Sequence, residues 1–207
     1  PSVVIRRHRL RKVTLDDLVA RGTMTPLAAS FLAAAVKARK SIVVTGAQGA
    51  GKTTLVRALC AEIPKHEAIG TFETEYELHL HELPEQHPIV FAWEARPGSG
   101  ERGPDGRQAG EFTLSEALFD SFRFNLSRQI VGEVRGHEIL AMLKAMESGA
   151  GSISTTHAPS AEGAIAKLVT CAMEAGPHVT HDYAVRAIAA AIDVVVHVHL
   201  DTAPTRD

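Results

Sequence analysis

Ser41 to Thr54, SIVVTGAQGAGKTT, is the stretch whose reading decides the fold. Ile42, Val43 and Val44 are β-branched and wholly apolar, the pattern of a central strand covered on both faces. Gly46 to Thr53 then follow G-x-x-x-x-G-K-[ST]. Glycines at 46, 49 and 51 let successive backbone N–H groups turn inward and form an anion-holding nest at a helix N-terminus. The candidate phosphate cradle is therefore Gly46, Ala47, Gln48, Gly49, Ala50, Gly51, Lys52, Thr53 and Thr54. In such a loop the lysine reaches the β and γ phosphates and the Thr53 hydroxyl can ligate Mg²⁺. Leu55, Val56, Leu59 and Cys60 supply the apolar helix that must follow.

Composition bounds the setting. With 207 residues, 45% hydrophobic and 22% charged, the chain has the length to bury a core. A net charge of -2 does not indicate a strongly basic nucleic-acid binder, and any basic site must be local. Cys60 and Cys171 lie in apolar helical patterns without C-x-x-C spacing and read as small core residues of a reducing compartment. No secretory signal is visible, and no apolar run approaches the roughly 20 residues that cross a bilayer.

Upstream of the loop, Thr25-Pro26 caps and opens a helix with Leu27, Phe31, Leu32 and Val36 on one face. Before it, Thr14 and Asp17 form a capping box closed by Gly22. Residues 1–12, PSVVIRRHRLRK, read as the end of an upstream domain plus a linker, with 13–207 as the domain proper. Arg6 and Arg7 are either a solvated charged edge or a pair that swings over a bound nucleotide.

Downstream, Ala68 to Phe72 reads as a strand ending in Glu73-Thr74-Glu75-Tyr76-Glu77. Parallel sheets carry ligands at strand carboxyl ends, so Glu73 and Glu77 should face the same crevice as the loop. Carboxylates there can orient or deprotonate water, or hold Mg²⁺ through water. The alternation ELHLHEL predicts a further strand over 77–83 with His79 and His81 on one face. Ile89 to Glu94 is another strand, and PGSGERGPDGRQAG, 97–110, reads as an aperiodic surface loop. Its arginines, with Arg96, are solvated or reach a neighbouring subunit's nucleotide. Thr113 and Glu116 cap a helix expected to run through Leu126.

The strand Gln129 to Val131 ends in Gly132-Glu133, where nucleotide hydrolysis needs an acid near Mg²⁺ and the attacking water. A helix through Ile139, Met142 and Met146 stops at Gly149, and the strand SISTTH, 152–157, puts His157 at the same sheet edge. There it can contact a γ phosphate. Helices over 158–175 and from about Asp182, then a valine-rich strand over 194–200, complete the pattern.

GAQGAGKTT, TFETEYELHL, RQIVGEVRG and GAGSISTTHAPSAEGAIAKL occur in the order and spacing of the Walker A, Asp, Walker B and His boxes of the bacterial secretion and pilus ATPases, which the chain resembles over nearly all of residues 10 to 200. Within that superfamily it looks most like the CpaF type, which powers Flp/Tad pili. The resemblance implies an α/β, RecA-like P-loop domain with a mostly parallel sheet. It implies ATP and Mg²⁺ as ligands, a homo-hexamer, and a cytoplasmic place at the inner face of the membrane beside a platform protein, without direct nucleic-acid contact.

Residue by residue, the resemblance puts phosphate and Mg²⁺ on Lys52 and Thr53, catalytic carboxylates at Glu73 and Glu77, the Walker B acid at Glu133, and the γ-phosphate contact at His157. It also puts nucleotide-contacting arginines at Arg6 and Arg7, while Arg135 matches its box without an evident role. Glu73-Thr74 departs from the frequent Glu-Asp of the Asp box. The four-cysteine zinc module of the type II branch is absent from the sequence. The functional expectation is an ATP-driven motor for a Flp/Tad pilus or related machine. The alternatives are a type IV secretion ATPase moving DNA or protein, and a nucleotide-gated ring subunit with little turnover.

Overall fold

The computed structural model describes residues 12–104, 106–136 and 138–201, so Arg6 and Arg7 lie outside the described residues. In chain order the elements are α1 (Leu15–Ala20), α2 (Pro26–Lys37), β1 (Ile42–Gly46), α3 (Lys52–Cys60), β2 (Ile69–Glu73), β3 (Val90–Glu94), β4 (Ser99–Arg102), β5 (Gln108–Ala109), α4 (Leu114–Ser121), β6 (Arg128–Val131), α5 (Ile139–Glu147), β7 (Ser152–Thr156), α6 (Ala161–Met173), α7 (His181–Ala191) and β8 (Val194–Val198). Six strands make one sheet in the order β3-β2-β6-β7-β1-β8. Every pairing in it is parallel.

β1 is buried along its whole length because both faces of the sheet are covered. Ile42 and Val44 pack into the layer of α1, α2 and α3, and Val43 into the layer of α4 to α7. Each fully buried side chain of this kind contributes about 1.5–3 kcal/mol. The helix starts follow their capping residues. Thr14 accepts from Asp17 N at 3.1 Å and its own N donates to the Asp17 carboxylate at 2.9 Å. Thr113 and Glu116 repeat that box, and Thr25 caps Ala28 N at 3.2 Å ahead of Pro26. Such caps contribute about 1 kcal/mol each.

Three local expectations are corrected. Residues 77–83 are not a strand: Leu80–Glu82 is a single 3-10 turn, and His79 has φ of 50°. The Glu73 carboxylate takes the backbone N–H groups of Glu77 and Leu78, which bends the chain so that Leu78 and Leu80 both enter the core. His79 and His81 therefore share no strand face. The stretch 97–110 contains an antiparallel hairpin of β4 and β5, extended by an Arg96–Phe112 bridge. Arg107 there pairs with Glu116 at 2.6 Å and Arg102 donates to Gly106 O at 3.0 Å. Lastly, α4 ends at Ser121 rather than Leu126, with the Ser121 hydroxyl donating back to Leu118 O at 2.7 Å.

At the amino edge of the sheet Arg128, the first residue of β6, is 2% exposed. Its guanidinium bonds the buried Glu67 carboxylate through Nε and a terminal nitrogen and donates to Val36 O at 2.7 Å. Arg39 adds a second cation to Glu67 at 3.3 Å. Both cysteines are free and buried, and burial pushes the Cys60 thiol up to about 12. Among the described residues no helix is long and apolar enough to cross a membrane.

Candidate functional site

Because all six strands run the same way, the carboxyl ends of β1, β2, β6 and β7 open on one edge. They deliver Glu73, Gly132-Glu133 and His157, with the loop that follows Gly46, to a cleft of about 440 Å³ that also holds Lys52, Thr53 and Glu77. That volume suits a small-molecule ligand. A larger depression of about 870 Å³, lined by Tyr76, Trp93, Arg96 and Phe112, adjoins it at Thr74 and Glu75. It contains none of the loop residues.

The loop has the backbone that its sequence requires. Gly49 and Gly51 hold φ of 77° and 96°, and α3 opens from Gly51 without a side-chain cap, leaving its first N–H groups for an acceptor in the loop. Lys52 is 8% exposed. Its Nζ donates to Gly46 O at 3.1 Å and Ala47 O at 2.9 Å and stands 3.0 Å from His157 Nδ1. Burial lowers its pKa, and the Glu133 and Glu77 charges resist that shift.

The acids divide by their partners. Glu73, 2% exposed, accepts at Oε1 from Glu77 N and Leu78 N, both at 2.9 Å, while Oε2 is buried with no hydrogen-bond partner. Burial raises its pKa against the pull of those two N–H groups. Glu77 accepts from the Thr53 hydroxyl at 3.2 Å. Glu133 Oε2 takes Arg135 at 2.6 Å, and its Oε1 lies 3.1 Å from His157 Nε2. Burial works to raise the Glu133 pKa, but the Arg135 hydrogen bond and charge, followed by His157 and Lys52, hold it below the usual carboxylate range.

Two supports explain this packing. A Cβ at position 132 would sit 3.0 Å from Glu73 Cγ, so the glycine of the Gly-Glu pair is what lets the two strand-end acids lie side by side. Thr155 donates to Gly132 O at 2.6 Å and Thr156 to Val134 O at 3.1 Å, so the hydroxyls of SISTTH tie β7 to the strand end that carries Glu133.

Of the predicted residues, Gln48, Gly49, Gly51 to Thr54, Glu73, Glu77, Glu133 and His157 line one cleft, Gly46, Ala47 and Ala50 belong to the same loop without lining it, and Arg6 and Arg7 lie outside the described residues. Sequence reasoning missed Arg57. This residue of α3 donates to the Glu77 carbonyl and holds the acidic loop over the phosphate loop. Its signal was a charge set among the apolar positions Leu55, Val56, Ala58, Leu59 and Cys60. Chemically, the cleft offers backbone N–H groups, an ammonium and a guanidinium for a polyanion, together with carboxylates and a hydroxyl for a divalent cation or water.

The profile of the type II/IV secretion system protein family matches residues 1–203. VirB11 of the Brucella suis type IV secretion system is 30% identical over 223 residues, covering 96% of this chain and 59% of VirB11. PtlH of the Bordetella pertussis type IV secretion system is 37% identical over 145 residues, 70% of this chain and 40% of PtlH. The crystal structure of the Brucella suis VirB11 ATPase in complex with sulphate superposes with a TM-score of 0.69 at 29% identity, over 96% of this chain and 61% of that one. The chain thus spans about three fifths of the length of VirB11. With a family profile matched almost end to end and the parallel P-loop sheet in place, the chain belongs to the type II/IV secretion system protein family.

Proposed function

We propose that this chain is the ATP-hydrolysing motor domain of a type IV secretion or pilus machine. The observation that supports it is the convergence of Lys52, Thr53, three carboxylates and His157 at four adjacent strand ends. ATP and Mg²⁺ suit the residues present: the loop backbone is shaped for phosphates, the Thr53 hydroxyl lies inside the cleft, and Glu73 Oε2 is a buried acceptor without a partner. The loop N–H groups and Lys52 hold the phosphates. Thr53 and Glu133 would hold Mg²⁺, directly or through water, and the ion would supply charge neutralisation at the phosphates.

Glu73 and Glu77 orient the water that attacks the γ phosphorus, and the bond to the bridging oxygen breaks to leave ADP and phosphate. His157 contacts the γ phosphate. In this reading Arg6 or Arg7 contacts the nucleotide, residues 1–12 are the end of a preceding domain plus a linker, and the full-length protein works as a homo-hexamer against a membrane platform protein.

Among machines, the likeness to VirB11 and PtlH favours a type IV secretion ATPase. The wording of the four sequence boxes favours a Flp/Tad pilus motor as the second reading. The test is phosphate release from Mg²⁺-ATP by the full-length protein before and after assembly. Release that rises on assembly supports the motor. Assembly and ATP binding without release would replace it by a nucleotide-gated ring subunit.

A further inference from the structure

We propose that Arg135 is a terminal-phosphate contact that lets the site tell ATP from ADP, exchanging its bond to Glu133 for the γ phosphate. The inference rests on the nucleotide reading above and adds to it a residue for which the motif match suggested no role.

The backbone around Arg135 is pinned from several sides. Val134 N donates to Thr155 O at 2.8 Å, and Thr156 donates to Val134 O at 3.1 Å. The Glu138 carboxylate accepts from the N–H groups of Arg135 and Gly136 at 2.6 and 2.9 Å. Cys171 Sγ donates to Arg135 O at 3.4 Å. The side chain on this fixed base is 65% exposed, lines the phosphate cleft, and among the described residues hydrogen-bonds Glu133 alone.

The lysine and the imidazole of the cleft are less free. Lys52 is buried and engaged with two loop carbonyls, and His157 lies between Lys52 and Glu133. Arg135 is therefore the cation with both reach and weak attachment, since an exposed ion pair is loosely held. Its planar fork presents several N–H donors, which match two oxygens of a phosphoryl group better than an ammonium would. A γ phosphate competes with the Glu133 carboxylate for the guanidinium, and a divalent cation at that carboxylate draws charge from it and favours the exchange. ADP has no γ phosphate, and with ADP the guanidinium keeps its bond to Glu133. No covalent step is involved.

The test is equilibrium binding of Mg²⁺ with a non-hydrolysable β,γ-imido ATP analogue, and separately of Mg²⁺ with ADP, to the full chain and to its Arg135→Ala and Arg135→Lys variants. Arg135→Ala is expected to weaken analogue binding about tenfold or more, the scale of a lost charge-assisted bond, and to change ADP binding by less than about twofold. Arg135→Lys should fall between, because charge is kept and the fork is lost. Equal losses for both nucleotides, or no loss for either, would overturn the assignment. Failure of the unaltered chain to bind either nucleotide would overturn the nucleotide reading itself. Unfolding midpoints of the variants within experimental scatter of the unaltered chain support a local effect.

Discussion

Glu133→Gln is expected to reduce ATP turnover by about a hundredfold or more while nucleotide binding persists. The substitution is nearly isosteric, so the contacts around position 133 can be kept: Thr155 still bonds Gly132 O, and an amide oxygen still accepts from Arg135. What it removes is a negative charge. That charge is present at neutral pH, because Arg135, His157 and Lys52 together outweigh the burial of the carboxyl and hold its pKa low. Removing it leaves Lys52 and Arg135 with one fewer counter-charge, which favours an anionic ligand, and takes away an acid placed to position Mg²⁺ or water. Phosphate release and nucleotide affinity should therefore separate. Unchanged release by the assembled full-length protein would end the case for Glu133.

The second large effect lies at the opposite edge of the sheet. Glu67→Ala strips the buried Arg128 guanidinium of its carboxylate and should destabilise the fold by about 3–5 kcal/mol, a large part of the roughly 5–15 kcal/mol typical of a domain. Val36 O and the remaining neighbours cannot neutralise a charge that is 2% exposed. The pH dependence follows in sign. Burial raises the Glu67 pKa, but the hydrogen bond and charge of Arg128, with Arg39 behind them, carry it below the ordinary carboxylate value. A carboxyl depressed on folding adds stability above its unfolded pKa and loses it as the pH drops through the folded one. Acid unfolding of Glu67→Gln should thus begin at higher pH than in the unaltered chain. Urea unfolding measures the first effect and an acid titration the second. A cost below about 1 kcal/mol for Glu67→Ala would show that the pair is not carrying this edge.

What was legible in the sequence was what depends on neighbours along the chain. The apolar run Ile42 to Val44, the glycine spacing after it, and the Thr14 and Thr113 capping boxes each carry their own periodicity or geometry. The strand-end acids Glu73 and Glu133 were legible because a parallel sheet sends such positions to one edge. What escaped reading depends on distant partners. The turn at Leu80–Glu82 forms because Glu73 captures two N–H groups, and this overrides an alternating pattern that by itself favours a strand. The β4–β5 hairpin is held by backbone bonds in a glycine-rich stretch, where side-chain periodicity carries no signal. Arg128 and Glu67 are 61 residues apart.

The burial of both cysteines has a practical consequence. Thiols react as thiolates, and Cys60 is fully buried with its ionisation pushed to about 12, while Cys171 is 3% exposed and bonded to Arg135 O. Neither should be modified in the folded chain at neutral pH. A cysteine introduced at Leu27, which is 80% exposed on α2, would then be the preferred target for a maleimide dye in an otherwise natural protein. Fluorescence from that position could report on the folded state of this chain without replacing Cys60 or Cys171.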